Sequence, residues 1–86
     1  MEYLAVAFRS RTHTVRFAEY LSQSGISNEI INTPKEAGVG CGLSVKVSIT
    51  KSQMIKRVLS FTALGSYAGT FLVKVGKGGR SVRSVF

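Results

Sequence analysis

The chain has 86 residues, one cysteine, one proline and a formal net charge of +8, from twelve Lys and Arg against four acids. A chain this short makes one small domain and buries only about 60% of its extended surface, so its core is modest. One cysteine excludes an internal disulfide and fits a reducing, cytoplasmic setting, while the charge favours anionic partners such as nucleic acid, a phosphorylated ligand or an acidic protein. Part of the excess charge sits late, at Lys77, Arg80 and Arg83, and says little about the folded body.

Met1-Glu2 begins with an acid rather than a basic leader, and the apolar run from Tyr3 to Phe8 is too short for a signal peptide, so no signal peptide is expected. No apolar run approaches the roughly 20 residues of a membrane span. Tyr3 to Phe8 reads as a buried strand, with large residues on one side (Leu4, Val6, Phe8) and small ones on the other (Ala5, Ala7). Arg9 to His13 is a polar turn in which Ser10 or Thr12 can cap the helix that follows. Val15, Phe17, Ala18 and Leu21 give that helix its apolar side, and Gly25 stops it. Asn28 to Thr33 is a short, less apolar strand expected at a sheet edge, and Pro34 ends it.

Leu43 to Ile49 alternates strictly, with Leu43, Val45, Val47 and Ile49 inward. Thr50 with Gln53 reads as a capping box for a second helix, whose stripe is Met54, Ile55, Val58, Leu59 and Thr62. Gly65 ends it. Tyr67 to Val75 is a final strand, bulged or interrupted at Gly69. The remainder is Gly, Lys, Arg and Ser with Val82, Val85 and Phe86 scattered through it, and reads as a loose tail or a short added strand.

This order predicts an α+β, ferredoxin-like βαββαβ two-layer sandwich, with antiparallel sheet order 4-1-3-2 and both helices on one face. The domain is expected to span residues 1–75, and 76–86 form a basic, Gly-rich C-terminal tail. The helix-free face would be open and carry Ala5, Ala7, Ser44, Lys46 and Ser48, with Lys74 a further candidate.

The stretch Thr33-Pro34-Lys35-Glu36-Ala37-Gly38-Val39-Gly40-Cys41-Gly42-Leu43 holds both the cysteine and the proline. The topology puts it at the end of the sheet where the first helix begins, with Gly42 and Leu43 beside Phe8 and Arg9. Cys41 is then expected to face Arg9, Arg11, His13 and the free amides of a helix start, which together lower a thiol pKa. Cys41 as an inert loop residue stays open beside Cys41 as a reactive thiolate. Gly38, Gly40 and Gly42 could cradle an anion, but the turn reading, in which they supply positive φ angles, is preferred. They match neither the P-loop nor the dinucleotide fingerprint. There is no Ser-His-acid set, no carboxylate pair and no cluster of metal ligands, so neither metal nor cofactor is expected. His13 with Cys41 could make a dyad, for which Glu36 is the nearest candidate third member.

Ile31 to Glu36, with Cys41-Gly42-Leu43-Ser44-Val45 following after four residues, resembles a family of small bacterial selenium/sulfur carrier-like domains. The likeness runs without gaps to about Ile49. It includes Ser10-Arg11, His13, Phe17-Ala18, Leu21 and Gly25-Ile26. The chain departs from the family at Gly38-Val39-Gly40, where Ser is usual just before the cysteine, and in its basic tail. The resemblance implies that Cys41 carries sulfur or selenium as a persulfide or selenopersulfide. Arg9, Arg11, His13 and Lys35, with Gly40 and Gly42, would support it, and a donor such as a cysteine desulfurase would load it. Two other readings stand beside this one. One is nucleic-acid binding, expected to be weak and nonspecific because the sheet positions that would stack bases are Ala5, Ala7, Ser44 and Lys46. The other is an interaction or regulatory module, including a homodimer built through a sheet edge or the open face.

Overall fold

A computed structural model describes residues 1–39 and 42–86. Its elements are β1 (Glu2–Phe8), α1 (Arg11–Gln23), β2 (Glu29–Asn32), β3 (Leu43–Val47), α2 (Ser52–Thr62), β4 (Tyr67–Gly76) and β5 (Gly79–Ser84), with short 3-10 turns at Lys35–Ala37 and Ile49–Lys51. The five strands form one antiparallel sheet in the order β2-β3-β1-β4-β5. The expected four-stranded order 4-1-3-2 is thereby corrected. Those four strands keep their sequence of neighbours, but β5 pairs outside β4, from Phe71↔Ser84 to Gly76↔Gly79, and becomes the edge. Of the two readings offered for the C-terminal stretch, the added strand is the one observed.

The alternation of β1 divides the molecule. Leu4, Val6 and Phe8 enter a core with Phe17, Ala18 and Leu21 of α1, Ile26, Val45 and Val47 of β3, and Ile55 of α2. Both helices therefore share one face of the sheet. Phe8 anchors this core, with its ring centroid 5.2 Å from Phe17 and 5.8 Å from Tyr67.

Ser10 caps α1, its hydroxyl accepting from the His13 amide at 3.2 Å. The helix ends in a Schellman motif. The Ile26 amide donates to Leu21 and the Gly25 amide to Ser22, with Gly25 at φ 75, where a side chain would clash with its own backbone. The buried side of α1 is Thr14, Phe17, Ala18 and Leu21, whereas Val15, read as inward, is exposed.

The entry to α2 also differs from expectation. Ile49 leaves the strand for a 3-10 turn and is exposed, and Ser48 rather than Thr50 accepts the capping bond, from the Thr50 amide at 3.3 Å. The Thr50–Gln53 capping box does not form, because Thr50 is spent inside that turn. Of the stripe expected on α2, Ile55 is fully buried, Val58 and Leu59 pack partly, and Met54 is exposed.

The irregularity expected at Gly69 is a bulge. Ala7 opposes Gly69 and Phe8 opposes Tyr67, which leaves Ala68 unpaired. Gly69 sits at φ 139, and a Cβ there would come within 3.1 Å of the Phe71 ring, so that ring lies over the glycine.

Candidate functional site

The middle of the helix-free face is buried, which corrects the expectation of an open face there. Pairing puts Ala5 opposite both Lys46 and Phe71, and Ala7 opposite Ser44 and Gly69, all on the face away from the helices. Ala5, Ala7, Ser44 and Val73 are buried to 0% exposure, and Phe71 to 8%. Lys74 lies on the helix side and pairs with Glu2 at 3.5 Å, while Ser48 is spent as a cap. The small residues Ala5, Ala7 and Ser44 are therefore not exposed at the surface.

The cover includes the segment that joins β2 to β3. Thr33 leaves β2 and is pinned at once: its amide donates to the Gly42 carbonyl at 2.9 Å, and its hydroxyl lies 2.7 Å from that of Ser44. Pro34 is buried, and the 3-10 turn at Lys35–Ala37 follows. Gly38 ends the turn at φ 65, its amide donating to the Lys35 carbonyl. This turn packs against β5, at the opposite edge of the sheet from β2. β3 and β5 are three strand spacings apart, roughly 14 Å, so the segment crosses the sheet.

Its far end is held by an ion pair. Arg80 donates from Nε to Glu36 Oε2 at 2.9 Å and from Nη2 to Glu36 Oε1 at 2.8 Å, the two-pronged geometry of a guanidinium on a carboxylate. Arg80 stands opposite Val75, on the face of Tyr3, Ala5 and Phe71. The bond from Arg80 holds the Glu36 carboxyl below its ordinary value, with its own backbone amide a smaller cause. Arg80 is raised in turn, chiefly by Glu36. Tyr3 adds to this side of the sheet, with Lys46 Nζ 4.8 Å from its ring centroid.

Where this segment meets the end of β1, it leaves an open cleft of about 600 Å³. Arg9 lines one side, and Thr33, Pro34 and Lys35 line another. Gly38, Val39 and Gly42 complete the described wall, with Gly42 at φ 96. The ion pairs among the described residues are Lys74–Glu2 and Arg80–Glu36, so neither Arg9 nor Lys35 is neutralised by one. Glu36, next to Lys35 in the chain, has both carboxylate oxygens on Arg80.

The residues singled out by sequence are thus only partly brought together. Arg9, Lys35 and Gly42 share the cleft. Arg11 is exposed at the start of α1 and does not line it. His13 points elsewhere: its Nδ1 lies 2.6 Å from the Ser66 hydroxyl, on the α2–β4 connection. Glu36 serves Arg80 rather than His13, so the dyad's suggested third member is otherwise engaged. Gly40 and Cys41 lie outside the described residues. Positive φ at Gly38 and Gly42 agrees with the turn reading of those two glycines. Among the described residues there is no group of three side chains able to hold a metal ion, and no helix is long and apolar enough to cross a membrane.

Sequence reading missed Arg80 and Ser66. Each meets its partner across more than 40 positions of chain, Arg80 with Glu36 and Ser66 with His13. No local spacing announces either contact.

These features define a small α+β protein whose β2–β3 connection, in its described residues, is folded across the sheet and borders a cationic cleft. The chain belongs to the family described as putative Se/S carrier protein-like, which matches residues 3–64. The match takes in β1 through α2 with the whole crossing segment, while β4, β5 and Arg80 follow it. No curated protein and no solved structure matches the chain.

Proposed function

We propose that the chain is a non-enzymatic sulfur or selenium carrier that holds the chalcogen on Cys41 as a persulfide or selenopersulfide. The fold is read as the ferredoxin-like plan with a fifth strand added at its edge. The observation that carries the functional reading is the cleft: Arg9 and Lys35, neither in an ion pair among the described residues, line it together with Gly42, the residue that follows Cys41 in the chain. Positive charge favours a thiolate over a thiol, and the thiolate is the nucleophile in exchange at sulfur.

Loading needs no oxidant. The Cys41 thiolate attacks the terminal sulfur of a donor's persulfide. A new S–S bond forms, the donor's S–S bond breaks, and the electron pair leaves on the donor cysteine as a thiolate. Unloading is the same exchange onto an acceptor thiol. Arg9 and Lys35 stabilise the terminal anion between the two events. The reading places the protein in the cytoplasm with an acidic cysteine desulfurase as donor, docked by the basic surface. Incubation with a desulfurase and cysteine is expected to add ~32 Da per sulfur to the wild-type chain and nothing to Cys41→Ser. No gain in the wild type, or an equal gain in both, contradicts it.

A further inference from the structure

A second cavity lies at the opposite end of β1 from Arg9, where the start of that strand, the entry to α2 and residues 85–86 meet. Its volume is about 330 Å³, at the lower end of the range for small-molecule sites, roughly 300–1,000 Å³. Its apolar lining is Leu4, Ile49, Leu72, Val85 and Phe86. Leu4 is buried, and Leu72, Val85 and Phe86 pack on the core, so most of this lining is held by the fold. The hydrogen-bonding lining comes from one side of α2. Ser52, Gln53 and Lys56 all border the cavity, and spacings of four and three put Ser52 and Gln53 one turn from Lys56. Part of the cavity is built beyond the family match, since Leu72, Lys74, Val85 and Phe86 follow residue 64.

The charged ends at this cavity are placed by contacts. Glu2 and Lys74 face each other at 3.5 Å and offset one another. Lys56 is in no ion pair among the described residues. Its Nζ lies 5.1 Å from the centroid of the Phe86 ring, so the one uncompensated charge is set beside the apolar lining. An apolar slot with a single net positive charge, and two neutral polar side chains on the same side of a helix, matches an alkyl chain that ends in one carboxylate.

We infer that this cavity binds a medium-chain monocarboxylate, with its alkyl chain on Leu4, Leu72, Val85 and Phe86 and its carboxylate on Lys56, Ser52 and Gln53. An ammonium donating to a carboxylate is a stronger contact than a neutral hydrogen bond, and burial of the chain supplies the rest of the affinity. The site uses no residue of the Arg9–Lys35 cleft, so it stands or falls independently of the carrier reading.

Sodium hexanoate, octanoate, decanoate and dodecanoate, each below its micelle concentration, are titrated into the full chain by calorimetry and by NMR of side-chain methyl and ring protons. Saturable one-to-one binding is expected, rising about fourfold per added methylene until the cavity is filled and then levelling. Resonances of Leu4, Leu72, Val85 and Phe86 are expected to move, and those of Val39, in the other cleft, to stay. Lys56→Ala alters an exposed position, and circular dichroism verifies that it folds. It is expected to weaken decanoate about tenfold, while Lys56→Arg retains most of the affinity and decanol binds wild type and Lys56→Ala alike. Absence of saturable binding, affinity that climbs with every methylene without levelling, shifts centred outside the cavity, or decanoate binding indifferent to Lys56→Ala overturns the inference. Equal weakening of decanol and decanoate in Lys56→Ala would show that Lys56 acts only by holding Phe86, and overturns it as well.

Discussion

Glu36 and Arg80 lie 44 residues apart and meet as an exposed, two-pronged pair. Water screens such a pair, so it adds little to global stability, and its consequence is local: it fixes where the crossing segment lies. The sign of its pH dependence follows from Glu36. A carboxyl held below its ordinary value stabilises the folded arrangement above the unfolded value, about 4.3, and loses that contribution as the pH falls through the lower folded value. Protection of the Thr33, Ala37 and Gly38 amides against hydrogen exchange, corrected for intrinsic rates, is therefore expected to hold from neutral pH to about 4.3 and to fall in stronger acid. In Glu36→Gln the same amides are expected to be less protected at neutral pH, with little change in melting temperature. Protection in Glu36→Gln equal to wild type would show that Arg80 does not hold the segment.

At the scale of elements, the covered face makes its own prediction. Ala5 and Ala7 are fully buried on the helix-free face, so that part of the sheet has no room for larger side chains. Ala7→Leu is expected to destabilise the fold by about 1–3 kcal/mol through overpacking, read as a lower denaturant midpoint at unchanged slope. On an open face the same change would be near neutral.

What was legible in the sequence follows from the range of the forces. The alternation of Tyr3–Phe8 and of Leu43–Val47 reports which side meets the core, and it fixed the central strands and their register end. Ser10 and Gly25 mark the limits of α1 by local hydrogen bonds. Ser44 shows where locality fails: a serine in an alternating strand reads as solvent-facing, yet it is buried because Thr33 supplies its partner. Val82, Val85 and Phe86 carry too weak a pattern to announce β5, whose pairing is set by its hairpin to β4. Of the cleft lining, Lys35 entered only through the carrier reading, whereas Gly42 beside Arg9 was legible from topology. The diversion of His13 to Ser66 was not, because nothing near either residue encodes it.

On the scale of the whole molecule, the C-terminal strand does two jobs. It carries Arg80 to the crossing segment, and it ends in residues that close the core. The Phe86 carbonyl accepts from the Tyr67 hydroxyl at 3.1 Å, Val85 and Phe86 pack on the core cluster, and Lys56 Nζ lies 5.1 Å from the Phe86 ring. Deleting residues 77–86 is expected to cost about 2 kcal/mol or more in lost apolar burial, a drop of roughly 10 °C in melting temperature for a chain this small. It is also expected to open the Lys35–Glu36 bond to trypsin. A truncated chain that melts with the full one and resists cleavage there would contradict both roles.

The central claim is that Arg9 and Lys35 make the Cys41 thiol a ready nucleophile, and the rate of its alkylation against pH tests it most directly. The account predicts an apparent thiol pKa below about 8.5 in the wild type, rising toward that value in Arg9→Ala and in Lys35→Ala. A value at or above 8.5, unmoved by either substitution, would contradict it.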